Sequence, residues 1–181
     1  MSDIFSSQAL SNLFKLGLVH LCILFLFVLD TISYNITLSE AVKPYFIIIC
    51  IYFWSIYRPS LLQPIYVFAI GLLYGMILNY PMGLHAALFL LLQWIVRDQR
   101  LYFLGQPYSI NWIAFGFSCF CVFALEWVFF TLTTANSGAS HYDFHRVLYG
   151  TAITAIVYPV ISWMFHQINR ILPPVSQPHF V

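Results

Sequence analysis

The sequence predicts an all-α polytopic membrane protein of about six transmembrane helices, some of them short or partly re-entrant. Three observations carry that expectation. Of 181 residues, 61% are hydrophobic and only 7% are charged, against about 25% charged in ordinary soluble domains. A chain so poor in charge cannot cover its own surface in water. Its apolar stretches reach the roughly 20 residues needed to cross about 30 Å of hydrocarbon. Between them lie short segments carrying Pro, Gly, Asn or charge, where helices end.

The elements follow in chain order. Residues 1–14, "MSDIFSSQALSNLF", form a short lead that can lie on the membrane surface as a weakly amphipathic turn or two. Residues 16–36 make the first span. Its apolar core is too long for a signal peptide, and Asp30, Ser33 and Asn35 do not form a small-residue cleavage site. After the polar "TLSEAVKP", Pro44 is placed to open a second helix. That helix ends at Arg58 and Pro59, because the residue before a proline is pushed out of helical geometry.

Residues 65–96 run for 32 positions without a charge. As one straight helix they would measure about 48 Å, far more than the bilayer core. The chain must therefore turn back, and "NYPMG" at 79–83 is the place with turn chemistry. Asn79, Pro81 and Gly83 supply left-handed tolerance, a fixed φ and a missing donor. The third and fourth helices form this hairpin, which re-enters water at Arg97, Asp98 and Arg100. A fifth span covers 112–132 after "LGQPYSIN", and a sixth covers 146–167 after the loop "TTANSGASHYDFH". The proline-rich tail at 171–181 cannot continue it. One transmembrane domain is the expectation at this length.

Lysine and arginine placement orients the chain. With the N-terminus inside, the cytoplasmic side collects Lys15, Arg58, Arg97, Arg100 and Arg170, leaving Lys43 and Arg146 outside. Both termini are thus expected in the cytoplasm, with the tail cytoplasmic too. Trp54, Trp94 and Trp112 lie near span ends, where amphipathic rings prefer to sit. A net charge of +1 gives no reason to expect a nucleic-acid partner, and lipid is the expected surroundings. Cys22, Cys50, Cys119 and Cys121 fall inside apolar runs and read as small packing residues.

Ionisable groups inside spans are costly, and by default they raise a functional hypothesis. Asp30, His85, Glu126 and Arg146 all fall toward the outer side. If the fold gathers them, Glu126 can pair with Arg146, with Asp30 and His85 nearby. One reading is a substrate or proton site facing the periplasm. The other is that these groups sit near the headgroups and reach water or each other, and their shallow depth favours it. In "HYDFH", His141 and His145 are four apart with Asp143 between them, but no third positioned ligand or HExxH pattern accompanies them, so no metal site is assigned. His20 and His166 are isolated. No Ser-Lys pair, Gly-x-Ser-x-Gly motif, paired intramembrane aspartates or phosphate-cradling loop is present. Neither a catalytic residue nor a cofactor is expected. Gly71 and Gly75 form a small-residue face for close helix packing inside the bundle. Gly83→Val should harm assembly more than a conservative change at an exposed Leu90, because the hairpin backbone needs room.

The order "YFWSIYRPSLLQP", then "FAIGLLYGMILNYPMGLHAALFLLLQWIVRDQRLYFLGQP", resembles the rod-shape-determining membrane protein MreD family. The pattern is carried by Trp54, Arg58 and Pro59, then Gly71, Leu72 and Leu73, then Pro81, Gly83 and Leu84, and finally Arg97 and Arg100. The likeness covers about 44–130, "RDQRLYFLGQP" resembles alphaproteobacterial members, and "VYP" at 157–159 is consistent. One departure is Gly75, where many members carry an acidic residue. The resemblance implies a non-enzymatic scaffold in the bacterial inner membrane, part of the cell-elongation complex that positions sidewall peptidoglycan synthesis and maintains rod shape. The implied partners are an MreC-like protein, the MreB filament, a RodA-like glycosyltransferase and a class B penicillin-binding protein. It also implies a likeness in fold to the substrate-binding subunits of energy-coupling vitamin transporters. The competing reading is a membrane subunit that binds or transports a small molecule through a cavity near Asp30, His85 and Glu126.

Overall fold

A computed structural model of the chain describes residues 17, 19–32, 44–134 and 144–172, and of Arg146 only the backbone. Among the described residues are the helices α1 (Val19–Ile32), α2 (Phe46–Tyr57), α3 (Pro64–Ile77), α4 (Leu84–Asp98), α5 (Arg100–Leu104), α6 (Tyr108–Thr134) and α7 (Phe144–Ile171). The protein is a polytopic all-α membrane protein. α6 and α7 contain stretches long and apolar enough to cross a bilayer, while α1, α2 and α3 are shorter apolar helices. The expected lead at 1–14, Lys15, Lys43, His141, Asp143 and the tail beyond 172 lie outside the described residues.

α2 is the axis of the bundle. Residues 47–56 are buried without a break, as a helix hydrophobic on every side must be. Its 12 residues span only about 18 Å, but lipid does not set its length. Neighbouring helices α4, α5 and α7 surround it and seal its ends, which is the condition for a short helix inside a membrane protein. At one end the backbone N–H of Tyr45 donates to Thr154 Oγ1 at 3.2 Å. At the other, Arg100 Nε donates to the Ile56 carbonyl at 2.7 Å. Trp54 is fully buried against Phe53 and Phe165. The expectation that it sits in an interfacial belt is therefore corrected: its helix is internal. Trp94 and Trp112 remain exposed.

The chain doubles back where turn chemistry placed it. Asn79 has φ 55° and Gly83 has φ 90°, and the Tyr80 N–H closes onto the Gly75 carbonyl at 2.9 Å. The two arms pack so closely that a Cβ on Gly71 would lie 2.5 Å from Ala86 Cα. Gly75 is less confined, with the Pro81 carbonyl at 3.9 Å. Gly83 has open space around it, so crowding is not why glycine stands there. The positive φ is. Leu90, expected to be exposed, is partly buried against the core.

α6 and α7 form the other flank. Pro159 sits inside α7, where it lacks the N–H that would bond the carbonyl of residue 155. Trp112 Nε1 on α6 donates to that Ala155 carbonyl at 2.8 Å. The proline's missing bond is thus supplied by the neighbouring helix. Tyr108 and Ser162 share a further hydrogen bond of 2.8 Å.

Candidate functional site

Polar groups gather at both ends of the bundle. At the end holding the α3–α4 turn, α1 contributes Asp30, α3 Tyr74, α4 His85 and α6 Glu126. Asp30 is 0% exposed, Tyr74 0%, His85 3% and Glu126 2%. Of the expectation that these groups reach water or each other, burial removes the water, while His85 and Glu126 do approach each other. The helices α1, α3, α4 and α6 converge on these groups and exclude solvent from them.

His85 is the hinge of the group. Its Nε2 lies 3.9 Å from Glu126 Oε1, too long for a hydrogen bond but within ion-pair range when the imidazole is protonated. Two tyrosines flank the ring, with centroids 5.0 Å away for Tyr74 and 4.8 Å for Tyr80. Phe89 closes it edge-on at 5.8 Å. Asp30 and Glu126 both lie within electrostatic reach of Tyr74, whose hydroxyl has no hydrogen-bond partner among the described residues. Sequence reading missed Tyr74 because a tyrosine late in an apolar helix looks like a belt residue. The Arg146 side chain lies outside the described residues, so its expected pairing with Glu126 is not described. Two carboxylates, an imidazole and a phenol in a dry core can hold a proton or a cation. No three His, Cys, Asp or Glu side chains come together as metal ligands among the described residues. His145 lies at the exposed start of α7, its ring 6.5 Å from Tyr149.

At the opposite end, residues of the sequence motif are spent on backbone carbonyls. Arg58, buried just past α2, donates from Nε to Asn169 Oδ1 at 2.7 Å. Its Nη2 reaches the Asn169 and Leu172 carbonyls at 3.5 Å. Arg97 Nη2 donates to the Pro59 carbonyl at 3.3 Å, and Arg100 to that of Ile56. Gln93, 1% exposed, donates to the Leu62 carbonyl at 2.6 Å. Helix C-termini leave carbonyls unsatisfied and carry partial negative charge, so cationic donors suit them twice over. Arg97 and Arg100 are half-buried beside the exposed Asp98 and Gln99, so besides marking the helix end expected at the water they turn hydrogen bonds inward. Desolvation pulls the Arg58 guanidinium below its ordinary value, though an arginine starts too high to lose its charge. Gln93 was missed by sequence reading; a lone amide within an apolar helix was the available signal.

Trp54, Pro59, Gly71, Pro81, Gly83 and Leu84 complete the motif, and they serve core packing, the α2–α3 loop and the hairpin. His20 beside Tyr66 and Asn169 beside Arg58 put the first turns of α1 and the last turn of α7 at the same end.

Residues 12–168 match the family model described as rod shape-determining protein MreD. An uncharacterized protein of Rickettsia prowazekii (strain Madrid E) is 32% identical over 106 residues, which is 58% of this chain and 58% of that protein. The match therefore spans less than two thirds of that relative's length. No solved structure matches the chain.

Proposed function

The chain belongs to the MreD family of rod shape-determining proteins, and on that ground we propose that it is a non-enzymatic scaffold of the cell-elongation complex. It would sit in the bacterial inner membrane with both termini cytoplasmic. There it would bind an MreC-like protein and, through it or directly, the MreB filament, a RodA-like glycosyltransferase and a class B penicillin-binding protein. The observation that carries the reading is the family match over 12–168, which reaches from before α1 into the last turn of α7. The structure adds physical support. The arginines at 58, 97 and 100 hold the chain's own carbonyls, while large apolar side chains such as Trp163, Phe117 and Leu73 face outward. What the fold offers a partner is helix faces.

Co-purification in mild detergent tests this directly. An MreC-like protein should be retained, and depletion in the native bacterium should convert rods to spheres. Unchanged shape together with unchanged wall insertion would overturn the scaffold role.

The buried Asp30–His85–Glu126 grouping favours a second reading, a subunit that binds a small polar molecule. Under it, Glu126→Gln should abolish a ligand-induced thermal shift. A panel of vitamins and similar solutes that produces no shift would retire it.

A further inference from the structure

We propose that the cleft between α6 and α7 at the Arg58 end binds the phosphate headgroup of an anionic phospholipid. The cleft has a volume of about 540 Å³, and of its lining the polar His166, Gln167 and Arg170 stand toward the C-terminal end of α7. Pro159 and Trp163 line it further back along α7, beside Ser162 and the Tyr108 bonded to it. That division matches a phospholipid: a charged head above, glycerol and acyl chains below.

The decisive residue is Arg170. The described arginines at 58, 97 and 100 each donate to carbonyls of the chain itself, Arg58 to the Asn169 side-chain amide and the Asn169 and Leu172 backbone, Arg97 and Arg100 to backbone alone. Arg170, exposed in the last turn of α7, makes no hydrogen bond among the described residues. Its charge is unspent, and it stands on the wall of a concave site. His166 commits Nδ1 to the Ser162 carbonyl at 3.0 Å, which leaves Nε2 as its remaining polar atom. A guanidinium with an amide and an imidazole beside it suits phosphate oxygens, because arginine's planar fork can hold two of them at once. The first turn of α6 also opens on the cleft through Tyr108, and its dipole adds positive potential. Depth agrees with the chemistry. Trp163 is 67% exposed and Tyr108 46%, and such amphipathic rings on a lipid-facing surface sit at headgroup level.

The assignment is independent of the scaffold reading, since it concerns only lipid and one cleft. The full chain, purified in mild detergent, is to be titrated with phosphatidylglycerol, phosphatidylcholine or soluble glycerophosphate, reading melting temperature and lipid retained in native mass spectrometry. Phosphatidylglycerol should be retained and raise the melting temperature, and phosphatidylcholine should do neither. Arg170→Gln should weaken retention roughly fivefold, the effect of removing one surface cation, and Arg170→Lys should keep most of it. Trp163→Leu, which leaves the charge in place, should also reduce retention and serves if Arg170→Gln fails to fold. Retention unchanged in both Arg170→Gln and Trp163→Leu would overturn the site, as would equal retention of the two lipids. A full thermal shift from glycerophosphate alone would overturn the lipid assignment in favour of a free phosphate ester.

Discussion

At the residue scale, Gly71, Gly75 and Gly83 stand for different physical reasons. Gly71 is there for room: a methyl group would press on Ala86 backbone atoms at 2.5 and 2.7 Å. Gly71→Ala should therefore destabilise by about 1–3 kcal/mol through overpacking, read as a lower melting temperature in detergent. Gly75→Ala, with its nearest neighbour at 3.9 Å, should be tolerated in the same assay. Gly83→Ala meets no neighbour but must hold φ near 90°, at a cost of about 1 kcal/mol. Arg58 is the most heavily bonded of the motif residues. Arg58→Ala should cost roughly 2 kcal/mol through lost charge-assisted hydrogen bonds. Arg58→Lys should not restore them, because an ammonium lacks the fork that reaches Asn169 and Leu172 together. A lysine variant as stable as the parent would refute that geometry. These residues were legible in the sequence as identities and spacing, but their partners were not, since Asn169 lies 111 positions from Arg58.

At the element scale, α2 and α7 show how a bilayer rewrites ordinary helix rules. A helix of 12 residues is viable here because α7 and Arg100 close its ends, so it never meets lipid unsatisfied. Pro159 persists inside α7 because Trp112 supplies the missing donor. A double-mutant cycle isolates that bond. Trp112→Phe alone should cost about 1 kcal/mol, the scale of an interhelical hydrogen bond in a membrane protein. In a Pro159→Ala background the new backbone N–H takes over the Ala155 carbonyl, and the same substitution should cost much less. Equal costs in the two backgrounds would show that the indole contributes packing alone. The hairpin of α3 and α4 was readable in advance, since 32 uncharged residues cannot run straight and the 79–83 segment alone had the chemistry to reverse. α5 was not. Its five residues are too few for any periodicity to register.

At the scale of the whole molecule, successive long helices run between the turn end and the Arg58 end, so both described extremities of the chain meet at the Arg58 end. Reporter tags at residues 1 and 181 should both be reachable only from the cytoplasm, and a periplasmic C-terminal tag would overturn the even number of crossings. Composition alone determined the solvent, because too little charge leaves no aqueous surface. Local chemistry determined the number of long helices and the reversal between α3 and α4, because helix length and turn formation depend on neighbours in sequence. Burial was decided only by the tertiary structure. Asp30, His85 and Glu126 looked shallow when depth was counted along single helices, yet they are enclosed once α1, α3, α4 and α6 converge on them. Trp54 looked interfacial and is central. Depth along a helix is a property of the chain, but exclusion from water depends on which helices stand beside it, and that comes from packing between segments far apart in sequence.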